Sequence, residues 1–452
     1  MPPLTCFKAY DIRGRLGAEL NAGIATRVGA AFVTATGARR VVVGRDIRAT
    51  SAELAEALTR GLTEQGAEVL DLGLCGTEEV YFATDHLGAD GGICVTASHN
   101  PMDYNGMKLV KAGAAPLTPA DLDAVRVAAE GAAPAPAATP GTVSDVSATR
   151  AAYVDRVLSF VDVGVWRPLR VLVNAGNGAA GPTLDAILEA LAARGAPLDV
   201  VRMHHDPDGT FPNGIPNPLL PENQPVTADA VRDHGADIAL AWDGDFDRCF
   251  FFDATGGFVA GEYVVGLLAE AFLARDPGAA IVYDPRVVWN TRDIVAAGGG
   301  RAVQARTGHA FMKAVMRETG AVYGGEMSAH HYFREFMACD SGMIPALLVL
   351  ELMSRRNIPL ADMVAARRAA FPSSGEINTR VDDTAAAIVR VADALAPEAT
   401  ARDDTDGLSL EMGDWRFNLR GSNTEPLLRL NVEARGDADL VAAGVARVQA
   451  LL

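Results

Sequence analysis

Ser98 stands in the run Val95-Thr96-Ala97-Ser98-His99-Asn100-Pro101, which continues Met102-Asp103-Tyr104-Asn105-Gly106-Met107-Lys108. The preceding Gly91–Val95 reads as a short buried strand. Asn100-Pro101 then forces a turn, because proline fixes its own φ and drives the residue before it out of the helical region. The spacing presents a serine hydroxyl on a turn at a strand's carboxyl end, where a substrate can reach it. A free serine hydroxyl is a weak nucleophile and needs a base, a positive field or a metal. His99 and Lys108 are the nearby sources of such a field. Taken alone, the same residues also fit a Ser-His pair in an ordinary turn.

A second stretch brings acidic chemistry. Strand Ile238–Trp242 runs into Asp243-Gly244-Asp245-Phe246-Asp247-Arg248, and apolar Cys249–Phe252 follows. Three carboxylates at alternate positions between apolar flanks are costly unless something positive lies among them. Hard divalent cations prefer such oxygen ligands. A calcium loop of the EF-hand kind needs glycine at its sixth position and glutamate at its twelfth, and here those positions hold Arg248 and Ala254. Three carboxylates leave a Mg²⁺ ion partly open, which suits phosphate chemistry. A polar hairpin turn is the competing reading.

Two further loops carry polar side chains that converge. Gly324-Gly325-Glu326-Met327-Ser328-Ala329-His330-His331 follows a short strand and reads as a ligand loop, with Glu326 and Ser328 beside His330. Tyr283-Asp284-Pro285-Arg286 and Arg306-Thr307-Gly308-His309 precede it in the same region. Near the end, Arg420-Gly421-Ser422-Asn423-Thr424-Glu425-Pro426 can present a fork of donors and backbone N–H groups to phosphate. At the start, Phe7–Gly14 brings Tyr10 and Arg13 close to a flexible glycine.

The elements that must position these residues alternate. A helix is expected near 18–35, a strand at Val41–Val43, and a helix capped by Thr50 or Ser51 that runs to about Gln65. Glu68–Leu72 is a strand. This alternation predicts a mostly parallel α/β sheet, with Ser98 at a strand's carboxyl end. Ala/Pro-rich Gly131–Gly141 reads as a surface loop before a domain boundary. Strand Leu169–Val173 and a helix over 183–194 then flank Gly176, Gly178 and Gly181, which match the G-x-G-x-x-G of dinucleotide sites. The acidic residue expected at the end of the next strand is displaced, so close helix–strand packing is the preferred reading. Residues 204–220 form a loop dense in proline, glycine and asparagine, and Met343–Met353 is core.

The bulk properties exclude whole classes. A chain of 452 residues is too long for one core. Its net charge of −17 disfavours nucleic acid and anionic membranes as partners. The five cysteines are scattered singly, which reads as reduced thiols of a cytoplasmic protein and gives no zinc site. No signal peptide or membrane span is read, and nothing specifies the oligomeric state.

Together, Thr96–Pro101, Asp243–Arg248, Gly325–His330 and Arg420–Pro426 resemble, in order and over the whole chain, the α-D-phosphohexomutase superfamily. The resemblance implies four domains around a central cleft, three related mixed α/β domains and a smaller C-terminal α+β domain. They are placed at residues 1–145, 146–252, 253–370 and 371–452. It implies a phosphoserine at Ser98 and Mg²⁺ held by Ser98, Asp243, Asp245 and Asp247. His99, Lys108, Arg248 and His330 are then catalytic, with Lys108 and His330 as acid and base candidates and His99 as a positioning group. Tyr10, Arg13, Arg286, His309, Glu326, Ser328, Arg420, Ser422, Asn423 and Thr424 would bind the hexose phosphate. The implied reaction moves phosphate between O6 and O1 of a hexose through a hexose 1,6-bisphosphate. Mannose phosphates serving GDP-mannose synthesis are the expected substrates, and glucose phosphates or both sugars are the alternative. The sequence departs from many relatives at Phe246 and Ala329, where glycine is common.

Overall fold

The computed structural model describes residues 3–421 and 427–452. The chain divides into two compact units, Met1–Phe258 with Glu335–Asn357, and Val259–Arg334 with Ile358–Leu452.

The first unit begins with β1 (Ile12–Arg15), α1 (Ala22–Thr36), β2 (Arg40–Arg45), α2 (Ser51–Glu64), β3 (Glu68–Leu74), α3 (Thr77–His86), β4 (Gly91–Val95) and β5 (Tyr104–Lys111). After β6 (Ala115–Pro116) and α4 (Pro119–Glu130), β7 (Val143–Asp145) completes a sheet of order β1-β5-β4-β2-β3-β7, with β6 beside β5. The strands β4, β2, β3 and β7 are parallel, whereas β5 is antiparallel to both β4 and β1. The sheet is therefore more mixed than its alternating pattern predicts. A parallel return would need a long crossover, and the turn at Asn100-Pro101 sends the chain straight back. Val41, Val43, Ile93 and Val95 enter one core, while Val42 and Cys94 enter another on the opposite face. Burial on both faces explains why these strands are continuously apolar.

Local chemistry moves two helix starts. Helix α1 begins at Ala22, not near residue 18, because the Asn21 side chain accepts the Ile24 N–H at 3.0 Å. Neither Thr50 nor Ser51 caps α2 through its side chain. Ser51 Oγ donates to Asp46 Oδ1, and Thr50 Oγ1 accepts from Asn105 Nδ2 at 2.9 Å.

The second α/β domain contains α5 (Arg150–Leu158), β8 (Leu169–Asn174), α6 (Ala180–Ala193), β9 (Leu198–Met203), α7 (Pro225–His234), β10 (Ile238–Trp242) and β11 (Cys249–Asp253). Strands β9, β8 and β10 run parallel and β11 returns antiparallel. The Gly-rich turn and the first turn of α6 are packed: a Cβ on Gly181 would lie 2.1 Å from the His205 carbonyl, and one on Gly178 would lie 2.9 Å from that of Gly244. The dinucleotide pattern is thus a packing motif. Buried Met343–Arg356 forms a helix of this same unit.

In the second unit, Arg301–Gln304, Ala280–Tyr283 and Tyr323–Gly325 are adjacent parallel strands, and His331–Phe333 returns antiparallel. Three domains therefore repeat one device, a parallel strand that ends in a short turn and an antiparallel return. Ser98, Asp243–Asp247 and Glu326–His330 all lie in those turns. The C-terminal domain is an antiparallel sheet of order Ile377–Arg380, Leu427–Ala434, Trp415–Gly421, Leu408–Glu411, Ala401–Asp403. Helices Thr384–Leu395 and Ala438–Gln449 pack on it.

Candidate active site

In the first unit, the β4–β5 turn meets the β10–β11 turn. Ser98 is held at φ +48° and is 3% exposed. Its Oγ donates to Asp243 Oδ2 at 2.6 Å and lies 2.9 Å from His99 Nδ1. Arg248 reaches the same Asp243 oxygen through Nε at 2.9 Å and Nη2 at 2.5 Å, and it also donates to His99 Nδ1. That ring nitrogen is therefore an acceptor, and His99 is neutral. Burial, followed by the positive charge of Arg248, pushes His99 down to about 4, although its side chain is 36% exposed. The contact with Arg248 fixes the ring beside Ser98 and disfavours its protonated form.

Asp245 Oδ2 accepts from Thr77 Oγ1 at 2.6 Å, Thr96 Oγ1 at 3.2 Å and Lys108 Nζ at 2.8 Å. Lys108 also donates to Asp247. The α3 N-terminus supports the same loop, with the Thr77 N–H on the Asp245 carbonyl at 3.2 Å. Burial alone would neutralise these carboxylates, but Arg248 holds Asp243, and Lys108 holds Asp245, below the usual range. Burial also disfavours the Lys108 ammonium, and Asp245 and Asp247 outweigh it, so that Lys108 stays charged.

The acidic cluster could bind a metal. Oxygens of Asp243, Asp245 and Asp247 lie within 4.8 Å of one another, and all three residues are buried. Among the described residues, Asp243 Oδ1 and Asp245 Oδ1 have no hydrogen-bond partner. Buried carboxylate oxygens left this way are the donors a hard cation takes. Phe246, at φ +48°, is fully buried against Gly76. The Phe246 side chain thus anchors the loop. Arg13 completes the surroundings of the serine turn, with Nη1 on the Ala97 carbonyl at 3.4 Å and on Asn100 Oδ1. Tyr10 lies nearby in sequence and is half-buried.

The second unit gathers a separate set. Arg286, 3% exposed, donates to Asp284 at 3.1 and 2.8 Å and to Ser328 Oγ at 3.1 Å, and lies 3.5 Å from Glu326. Glu326 accepts the Gly308 N–H at 3.0 Å and the Tyr332 hydroxyl at 2.5 Å. The turn to His330 is closed by the Glu326 N–H on the His330 carbonyl at 2.9 Å, with Ala329 at φ +70°. That conformation is the one glycine adopts without strain. His309 starts the helix His309–Thr319, next to Gly308. Arg420, 7% exposed, shares Glu376 with Arg286 and Arg429 at 3.3, 3.7 and 3.2 Å. Ser422, Asn423 and Thr424 lie outside the described residues.

Sequence reasoning missed Thr77, Asp284 and Glu376. The i, i+2 spacing of Asp284 and Arg286 was the one available signal. Thr77 and Glu376 sit far along the chain from their partners and carry none.

Two mixed α/β layers that meet at a serine and an aspartate cluster, with an arginine-rich set in the other unit, define a phosphohexomutase-class isomerase. The chain belongs to the phosphoglucomutase/phosphomannomutase family: models of its α/β/α domains I, II and III match residues 5–134, 151–257 and 260–371, and its C-terminal domain model matches 376–451. It is 57% identical over 456 residues to a phosphomannomutase of Salmonella typhimurium, with both chains fully covered. It is 55% identical over 452 residues to a protein named phosphohexose mutases from Xanthomonas campestris pv. campestris, with 99% of each covered. A phosphoglucomutase/phosphomannomutase family protein from Burkholderia thailandensis has a similar crystal structure, with a TM-score of 0.87 at 34% identity, covering 99% of this chain and 97% of that one. Among the described residues, no helix is long and apolar enough to cross a membrane.

Proposed function

We propose that this enzyme is a cytoplasmic phosphomannomutase that interconverts mannose 6-phosphate and mannose 1-phosphate and supplies GDP-mannose synthesis. The observation that carries the chemistry is the Ser98 hydroxyl, 2.6 Å from Asp243 and flanked by Arg248 inside a buried carboxylate cluster. O6 and O1 lie at opposite ends of a hexose, so a phosphate cannot slide between them. A resident phosphate on Ser98 resolves this. The free sugar hydroxyl attacks it, the Ser98 Oγ–P bond breaks, and a hexose 1,6-bisphosphate forms. The bisphosphate turns over and returns its other phosphate to Ser98.

The side chains set the charge. Three aspartates face two cations, Lys108 and Arg248, which leaves no surplus of positive charge for a phosphoserine. A Mg²⁺ ion held by Asp243, Asp245, Asp247 and the Ser98 phosphate would supply that charge. Arg248 orients the transferring group, a role of positioning and electrostatics. Lys108 and His330 are the candidates for acid and base, and Asp245 and Asp247 hold the Lys108 proton tightly until charge builds up at the transferring group. Arg286, His309, Glu326, Ser328 and the Arg420–Thr424 loop would recognise the sugar phosphate, with Tyr10 and Arg13 assisting. The names of the close relatives support mannose as the sugar.

The test is product analysis of the purified protein with Mg²⁺, supplying mannose 6-phosphate beside glucose 6-phosphate. Faster turnover of mannose 6-phosphate is expected, and exclusive turnover of the glucose ester would move the assignment to a phosphoglucomutase. Ser98→Ala should fold, lose nearly all turnover and show no added phosphate by intact mass. Near-normal turnover in that variant would refute the phosphoserine mechanism.

A further inference from the structure

We propose that Arg48 is the positioning residue that fixes the Ser98 turn for phosphoryl transfer, with Phe211 holding its guanidinium in place. The proposal rests on Ser98 as the phosphoryl carrier.

Arg48 follows the end of β2 and is 4% exposed. Its Nη2 donates to the Ser98 carbonyl at 2.9 Å and to the Asn100 carbonyl. Its Nη1 donates to the carbonyls of Pro101 at 3.0 Å and Tyr104 at 3.2 Å. One side chain thus gathers the whole turn from the serine to the start of β5. These are not ion pairs made for surface charge. The nearest carboxylate, Asp46, lies 3.8 Å away, and its Oδ1 accepts the Arg48 backbone N–H at 3.0 Å and the Ser51 hydroxyl.

The turn needs such a hold. Ser98 sits at φ +48°, a region that a residue with a Cβ occupies under strain unless its surroundings impose it. Charge-assisted donors to its own carbonyl, and to three carbonyls after it, impose it. A planar guanidinium offers five N–H donors in a fixed fork, whereas a lysine ammonium is a point charge that cannot span four carbonyls.

The guanidinium is held from its other side as well. It lies 5.7 Å from the centroid of the Phe211 ring. Phe211 is 5% exposed, at φ +46°, in the proline- and glycine-rich 204–220 loop of the second α/β domain. That loop is itself built in. The Asp208 N–H bonds the Asn177 carbonyl at 2.9 Å, and the backbone at Gly209 comes so close that a Cβ there would lie 2.3 Å from the Ile47 carbonyl. This loop, dense in proline, glycine and asparagine, covers the residue that shapes the serine turn.

The experiment compares Arg48→Lys with the wild-type enzyme, each normalised to its phosphorylatable fraction of Ser98. Steady-state kinetics with the sugar 6-phosphate are read beside single-turnover phosphorylation of Ser98 by hexose 1,6-bisphosphate. Arg48→Lys should keep its far-UV circular dichroism and lose at least ten-fold in kcat and in the phosphorylation rate. KM should change less than two-fold, because Arg48 is buried and its Nη donors are taken by backbone carbonyls. A kcat within two-fold of wild type, or a loss carried entirely by KM, overturns the proposal. Should Arg48→Lys fail to fold, Phe211→Leu decides, since it leaves every donor in place and frees the guanidinium to move. Its kcat should fall several-fold at constant KM, and an unchanged kcat overturns the proposal. Ser98→Ala separates the two ideas: an active Ser98→Ala enzyme removes the carrier, whereas an inactive Ser98→Ala beside a normal Arg48→Lys removes only the clamp.

Discussion

Replacing Lys108 with methionine removes a buried ammonium and leaves two carboxylates with one counter-charge fewer. Lys108 is 6% exposed and bonds both Asp245 and Asp247. Breaking a buried pair by deleting one partner costs about 3–5 kcal/mol, because the remaining charge stays buried without compensation. Methionine nearly conserves the volume, so little of the loss comes from packing. At a urea dependence of about 3 kcal/mol per molar, the loss moves the unfolding midpoint down by about 1–2 M. The assay is urea unfolding followed by circular dichroism, in EDTA and again in saturating Mg²⁺. In EDTA the full shift is expected. In Mg²⁺ most of it should disappear, since the cation supplies charge to the same carboxylates and stabilises the folded state in proportion to its occupancy. A shift of the same size in both conditions would refute the reasoning, because the cluster would then not be a cation site. A shift below ~0.3 M in EDTA would show that the carboxylates take up protons at little cost when Lys108 is removed.

Arg420→Ala should raise KM for both the 1- and the 6-phosphate by roughly 10- to 150-fold, the equivalent of one charge-assisted hydrogen bond of about 1.5–3 kcal/mol, while Ser98 phosphorylation stays intact. Unchanged KM with both substrates would place recognition of the sugar phosphate elsewhere, with Arg286 tested next. His331 is fully buried, bonded to Tyr323 at 2.7 Å, and pushed down to about 3 by burial and then by His330. Its folded form stays neutral while the unfolded chain takes up a proton near pH 6.5, so stability is complete above 6.5 and falls as pH drops toward 3. At pH 5 the single-group loss is about 2 kcal/mol. The urea midpoint of His331→Gln should fall less than that of wild type between pH 7 and pH 5, and parallel curves would argue against this assignment.

Much of the architecture was legible because the information was local. Continuous apolar runs such as Gly91–Val95 and Ile238–Trp242 form buried strands with these boundaries. Asn100-Pro101 and the aspartate run each produce the turn their residue types require. The four motifs, read in order, also pointed to the family. The misread details are places where a tertiary partner took a side chain away from its local role. Ser51 and Thr50 look like caps for α2, yet Asp46 and Asn105 claim their hydroxyls.

The sequence by itself determined the strands, the turns and the residue types that those turns display. Only the tertiary structure decided which turns meet. Ser98 and Asp243 are 145 residues apart in the chain and 2.6 Å apart in space, and no periodicity encodes that pairing. Their approach depends on Gly244, where a Cβ would stand 2.5 Å from the Ser98 carbonyl, and on Thr77 and Lys108, which hold Asp245 from two other elements. The reach of Arg48 to four carbonyls was equally silent in the sequence. Chain propensities act over a few residues, whereas these contacts depend on how closely two sheets and their loops pack, and that is set by the whole fold.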